Sequence, residues 1–222
     1  MKQFQELKEK QHEIFEEIST LLGALAAPVR LKIIHLLSQS PQSVETLAEK
    51  LNQTTANTSM HLRKMYLEGI LKVTTDKQKR IYSIAHPALL SFWENLQDFA
   101  QEKNPQLELR SDDLYGEDFS WEKSPAETRR LIKENKIILL DVRPDDEVSG
   151  EESEAIHLSH SALKDGSIKL PKTKDILVFC RGRFCALAID AVAILRKRGH
   201  RAFRLEESWY EIEKQYGIKL GA

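Results

Sequence analysis

"VFCRGRFCALAIDAV", residues 178–192, decides how the second half of the chain is read. It holds both cysteines of the 222-residue sequence, Cys180 and Cys185, with Arg181 and Arg183 between them. The run ending just before Cys180, "DILVF" (175–179), has strand character. "CALAIDAVAILRKRG" (185–199) has the spacing of an amphipathic helix that stops at Gly199. A strand–loop–helix turn points backbone N–H groups into the loop, and the helix N-terminus adds partial positive charge. Arg181 and Arg183 add full charges, so the sequence predicts a nucleophilic Cys180 with a lowered pKa. Gly182 permits a tight backbone path. Cys185 has two readings. It is a second reactive thiol beside Cys180, or a small residue packed at the helix start.

Outward from this stretch, short apolar runs alternate with helical ones. "KIILLDV" (136–142) and "RAFRL" (201–205) read as strands, and "SWYEIEKQYG" (208–217) as a helix. Such alternation predicts a small α/β domain with a mainly parallel sheet over residues 120–222. Asp141 and Arg143, at a strand end, are read as a structural pair that holds loops near the site. His157 and His160 carry little weight, and Trp93, Trp121 and Trp209 are packing residues. The acidic, aperiodic stretch 104–119 is a linker.

The first half, residues 1–103, has a different grammar. Phe4, Leu7, Ile14, Ile18, Leu21 and Leu25 recur at helical spacing. Pro28 suits the first turn of "PVRLKIIHLL", and Ser43 can cap "VETLAEKL". "TANTSMHLRKMYLEG" (55–69) closes at Gly69. "ILKVTTDKQKRIYSI" (70–84) reads as a hairpin with a basic tip. A further helix, "ALLSFWENLQDFAQEK" (88–103), puts Leu89, Phe92, Trp93, Leu96 and Phe99 on one face. Two short helices and a basic hairpin make a mainly α winged helix-turn-helix. Thr55, Asn57, Ser59 and Arg63 of its second helix would meet bases or phosphates, and Lys77, Lys79 and Arg80 of the wing would meet phosphates. From 28 to 86 nine Lys/Arg stand against four Asp/Glu, a net of +5 in a chain whose total is −1. That local excess fits operator DNA as partner.

The remaining totals exclude some classes. No apolar run approaches the roughly 18 residues that span a bilayer, and "MKQFQELKEK" lacks a signal-peptide core. No membrane partner and a cytoplasmic location with free thiols are therefore expected.

Two family resemblances follow. "LAAPVRLKIIHLL" (25–37), "LAEKLNQTTANTSMHLRKMYLEGIL" (47–71) and the basic wing resemble the ArsR-type bacterial repressors over about residues 15–100. The resemblance implies a homodimer joined through its first and last helices, set on a palindromic operator. The family's metal-sensing cysteines are missing from "SVETLAEKL" (43–51). His86 lacks a second histidine at a useful spacing, and His12, His35 and His61 are scattered, so no metal site is expected. "LLDVRPDDEV" (139–148), "AIHLS" (155–159), "LPKTKDILVFCRGRFC" (170–185) and "RKRGHRAFRLEESW" (196–209) resemble the rhodanese superfamily in order. That resemblance implies a persulfide on Cys180 within a loop of Arg181, Gly182, Arg183, Phe184 and Cys185, fed by a small anionic or sulfane-sulfur donor, with no cofactor. The related phosphatases and arsenate reductases have a loop one residue longer. The chain departs from the rhodanese pattern at "GEESEA" (150–155), at "EES" (206–208) and at Cys185, a second thiol able to attack the implied Cys180 persulfide, release sulfide and leave a disulfide or polysulfide bridge. The expected function is a transcriptional regulator that senses or transfers reactive sulfur through Cys180. A sulfurtransferase with a secondary DNA-binding domain is the alternative, and arsenate reduction or phosphate-ester hydrolysis a more distant one.

Overall fold

The computed structural model describes residues 2–104, 106, 119, 121–148, 153–166 and 170–220. The chain forms two compact units, Met1–Asn95 and Leu96–Ala222. The predicted linker 104–119 falls almost wholly outside the described residues, as do residues 150–152 of the "GEESEA" departure.

The first unit begins with α1 (Lys2–Gly23), whose side chains from Phe4 onward are all exposed. Pro28 opens α2 (Pro28–Leu37), where a missing N–H costs nothing. β1 (Gln42–Ser43) leads into α3 (Val44–Leu51), capped by Ser43 Oγ accepting from the Thr46 N–H at 3.2 Å. Asn52 ends α3 in the left-handed region, φ 51°. Thr54 caps α4 (Thr55–Leu67), and Gly69 lies just beyond its end at φ +70°. β2 (Leu71–Asp76) and β3 (Lys79–Ile84) form the wing hairpin, with β1 on the far side of β3 in an antiparallel sheet ordered β1-β3-β2. α5 (Ala88–Lys103) follows. Ile33 and Ile34 of α2, Leu47 of α3, Leu62 and Met65 of α4 and Tyr82 of β3 fill the core between helices and wing.

The second unit is a three-layer sandwich. α6 (Pro125–Lys133) precedes β4 (Ile137–Asp141), and a 3-10 turn, Asp145–Glu147, precedes β5 (Ile156–His157) and α7 (His160–Asp165). β6 (Asp175–Cys180), α8 (Ala186–Lys197), β7 (Ala202–Ser208) and α9 (Trp209–Tyr216) complete it. The sheet is parallel, ordered β5-β4-β6-β7. β4 is buried along its whole length, as a strand covered on both faces must be. Ile138, Leu140, Ile176 and Val178 face Ala188, Val192 and Leu195 of α8. The alternate residues Ile137, Leu139, Leu177 and Phe179 pack with Ile212 and Tyr216 of α9. The sequence reading passed over α6, although Ser124 as cap, Pro125 at the first position and Glu127 in the first turn are helix-start signals.

Candidate functional site

On the first unit, α4 turns Thr58, Leu62 and Met65 inward, which leaves Thr55 and Arg63 exposed and Asn57 and Ser59 half-buried. Asn57 caps back onto its own helix start: its Nδ2 donates to Gln53 Oε1 at 2.6 Å. Lys77, Lys79 and Arg80 are exposed on the wing. Register pairs Asp76 with Lys79, so Lys77 and Gln78 form a two-residue turn, with Lys77 at φ 55°. A groove of about 690 Å³ between α4 and the wing is lined by Ser59, Arg63, Lys64, Tyr66, Val73 and Arg80. The fold thus brings Ser59, Arg63 and Arg80 to one groove and leaves Lys77 and Lys79 at the tip. Lys64 and Tyr66, absent from the sequence-based set, join them because helical spacing sets them beside Arg63.

On the second unit, the thiols lie where β6 meets α8. Cys180 is the last residue of β6 and Cys185 is the N-cap of α8. Gly182, at φ +107°, makes the bend between them, and the Cys185 N–H donates to the Gly182 carbonyl at 3.1 Å. The two Sγ atoms are 2.8 Å apart and both residues are buried. Arg204 donates to the Arg183 carbonyl and ties the loop to β7. Opposite Cys180, β7 bulges: Val178 aligns with Arg204 but Cys180 with Ser208. The "EES" departure therefore sits in a bulge beside the loop, where extra residues redirect side chains. Phe184 is 40% exposed and takes no part in the core.

The electrostatics differ from the sequence expectation. Burial pushes the Cys180 thiol well above its ordinary pKa, and the adjacent Cys185 adds to the rise. Cys185 is instead brought down to about 6, first by its hydrogen bond with Cys180, then by the backbone N–H groups of Arg181 and Leu187. The two thiols are shifted apart, Cys180 upward and Cys185 downward, and Cys185 is the one that caps the helix N-terminus. Arg181 does not serve Cys180 alone. Its Nε and Nη2 each donate at 2.7 Å to the buried Glu147 carboxylate, which offsets much of its charge. Glu147 is 34 positions from Arg181, and no local sequence signal pairs them.

Asp141 and Arg143 are paired at the end of β4. The Arg143 backbone N–H and Nε donate to Asp141 Oδ1 at 3.0 and 3.1 Å, and Nη2 donates to Oδ2 at 2.7 Å. Arg143 is fully buried against the Phe179 ring. The Arg143 carbonyl lies 2.9 Å from His157 Nε2, which links β4 to β5. His160 lies 2.8 Å from Asp190 on α8. No single helix among the described residues is long and apolar enough to cross a membrane.

The model for bacterial regulatory proteins of the arsR family matches residues 27–73, and that for rhodanese-like domains matches residues 124–215. The HTH-type transcriptional regulator Rv0324 of Mycobacterium tuberculosis is 28% identical over 201 residues, covering 89% of this chain and 88% of that protein. The HTH-type transcriptional regulator YgaV of Escherichia coli is 36% identical over 75 residues, covering 33% of this chain and 76% of YgaV. Among solved structures, the homodimeric winged helix-turn-helix domain of Mb0332 from Mycobacterium bovis aligns at TM-score 0.40 and 22% identity, covering 42% of this chain and 86% of that one.

Proposed function

We propose that this chain, which belongs to the arsR family of bacterial regulatory proteins and carries a rhodanese-like domain, binds operator DNA as a homodimer and takes up sulfane sulfur in the Cys180–Cys185 loop to alter that binding. The single observation that carries the reading is the loop itself, two thiols 2.8 Å apart at a helix N-terminus in a chain that also holds a DNA-binding unit. Reactive sulfur is the input that such a loop can register covalently. A cytoplasmic location fits a DNA-binding protein with free thiols.

The DNA half rests on shape and charge. Arg63 and Lys64 on α4, with Arg80 on the wing, surround a groove beside exposed Lys77 and Lys79. Such cations neutralise phosphates and release counterions, which gives affinity and salt dependence. The homodimer rests on α1. Phe4, Leu7, Ile14, Phe15 and Ile18 are between 49% and 62% exposed. A solitary helix with so much apolar surface is marginal in water, and a second copy of α1 would cover it.

A sulfur adduct regulates only if the two DNA-binding states differ in their affinity for it. The test joins intact-mass spectrometry after exposure to inorganic polysulfide with an operator gel shift on the same sample. The expected result is a polysulfide-dependent change in the mass of the wild-type chain, a gain of sulfur or a loss of two hydrogens, with a changed gel shift, both lost in Cys180→Ser. Equal DNA binding before and after uptake would leave a sulfurtransferase. A chain whose mass polysulfide leaves unchanged overturns the reading.

A further inference from the structure

The second thiol lies closer than a loop cysteine needs for packing alone. Sγ–Sγ at 2.8 Å is within hydrogen-bonding reach, and both sulfurs are buried. The loop is braced on several sides: Arg181 by Glu147, the Arg183 carbonyl by Arg204, and the Cys185 N–H by the Gly182 carbonyl. No other residue stands between the two sulfurs.

We propose that Cys185 is the resolving thiol of this loop: once Cys180 holds a sulfane sulfur, Cys185 attacks Cys180 Sγ and closes an intraloop disulfide, expelling hydrosulfide. The proposal rests on the sulfane-sulfur reading above and adds the fate of the sulfur. In the first step Cys180 takes the outer sulfur of a hydropersulfide, R–S–SH. The Cys180–S bond forms, the donor S–S bond breaks, and the Cys180 proton leaves with the departing R–SH. In the second step the Cys185 thiolate forms a bond to Cys180 Sγ, the bond to the outer sulfur breaks, and HS⁻ leaves with its electron pair. The two cysteines lose two electrons, the sulfane sulfur gains them, and no other oxidant is needed.

Three features favour this route over delivery of the sulfur to an outside thiol. The attacking group is already beside its target, and well-oriented intramolecular reactions reach effective molarities of roughly 10⁵ M. An outside thiol would have to enter the buried site after the donor has left, whereas Cys185 is already inside it. Cys185 reacts as the thiolate, and the Arg181 and Leu187 amides that stabilise its negative charge stay in place after Cys180 has lost its S–H. Closure removes that charge from the α8 N-terminus, so the closed loop differs from the resting one in charge as well as in covalent structure.

The test is peptide-resolved mass spectrometry of the full chain after stoichiometric inorganic polysulfide, with alkylation of remaining thiols and measurement of released sulfide. Wild type is expected to lose two hydrogens, show no alkylated thiol in the 178–192 region and release sulfide. Cys185→Ser is expected to hold one added sulfur on Cys180. Cys185→Ala provides the same readout should serine disturb the buried site. If wild type instead accumulates the added sulfur to the same extent as both variants, the resolving role is overturned while the sulfane-sulfur reading stands. If Cys185→Ser and Cys185→Ala both fail to take up sulfur while a thiol-specific oxidant still closes the wild-type disulfide, the sulfane-sulfur reading itself is overturned, and the proposal with it.

Discussion

Two sulfur atoms share one proton at the end of β6, and their chemistry depends on which of them gives it up. Cys185 has the lowered pKa, about 6 against an ordinary 9.0. Its alkylation rate in the folded protein is therefore expected to climb with pH around a midpoint near 6, as measured with an iodoacetamide pH series. Cys180→Ala removes the S–H donor and moves that midpoint upward. The linkage has a definite sign: a thiol whose folded pKa is lowered binds fewer protons folded than unfolded, so stability increases from about pH 6 to 9 and is lost as pH falls through 6. Denaturant midpoints across that window are expected to rise in wild type and to flatten in Cys185→Ala. Glu147 offers a second measurement at this scale. Glu147→Gln leaves Arg181 largely buried beside a neutral amide, and breaking a buried pair in this way costs about 3 kcal/mol, read as a lower melting temperature.

At the scale of elements, the wing and the loop each depend on one backbone position. Lys77 occupies a left-handed conformation, φ 55°, in the two-residue turn of the hairpin. Lys77→Gly relieves about 1 kcal/mol of backbone strain and removes a charge. It is expected to raise thermal stability while weakening DNA binding and reducing the slope of log affinity against log salt by about 1. Lys79→Ala and Arg80→Ala lower affinity without the gain in stability. Arg63→Ala, on α4, is expected to weaken operator binding, seen by titrating operator and scrambled duplexes in parallel. A chain in which all four substitutions leave the salt series unchanged would place the DNA elsewhere. Gly182, at φ +107°, permits no side chain without strain of about 1–3 kcal/mol, so Gly182→Ala is expected to disturb the dithiol loop while leaving the first unit intact.

At the scale of the whole molecule, α1 is the element that one chain alone leaves uncovered. Ile14→Glu with Ile18→Glu puts two charges into the apolar stripe, and sedimentation is expected to show a monomer with weakened operator binding. Both architectures are legible in the sequence because their signals are local. Pro28, Ser43 and Gly69 mark helix ends within a few residues of where they act, and "DILVF" and "KIILLDV" are apolar throughout because parallel strands are covered on both faces. The sequence by itself therefore determined the winged helix, the parallel sheet and the cysteine loop between β6 and α8. Only the tertiary structure decided that burial raises the Cys180 thiol while Cys185 is lowered, and that Arg181 belongs to Glu147, 34 positions away. Desolvation and ion pairing depend on distances through space, and the order of residues along the chain does not carry those distances.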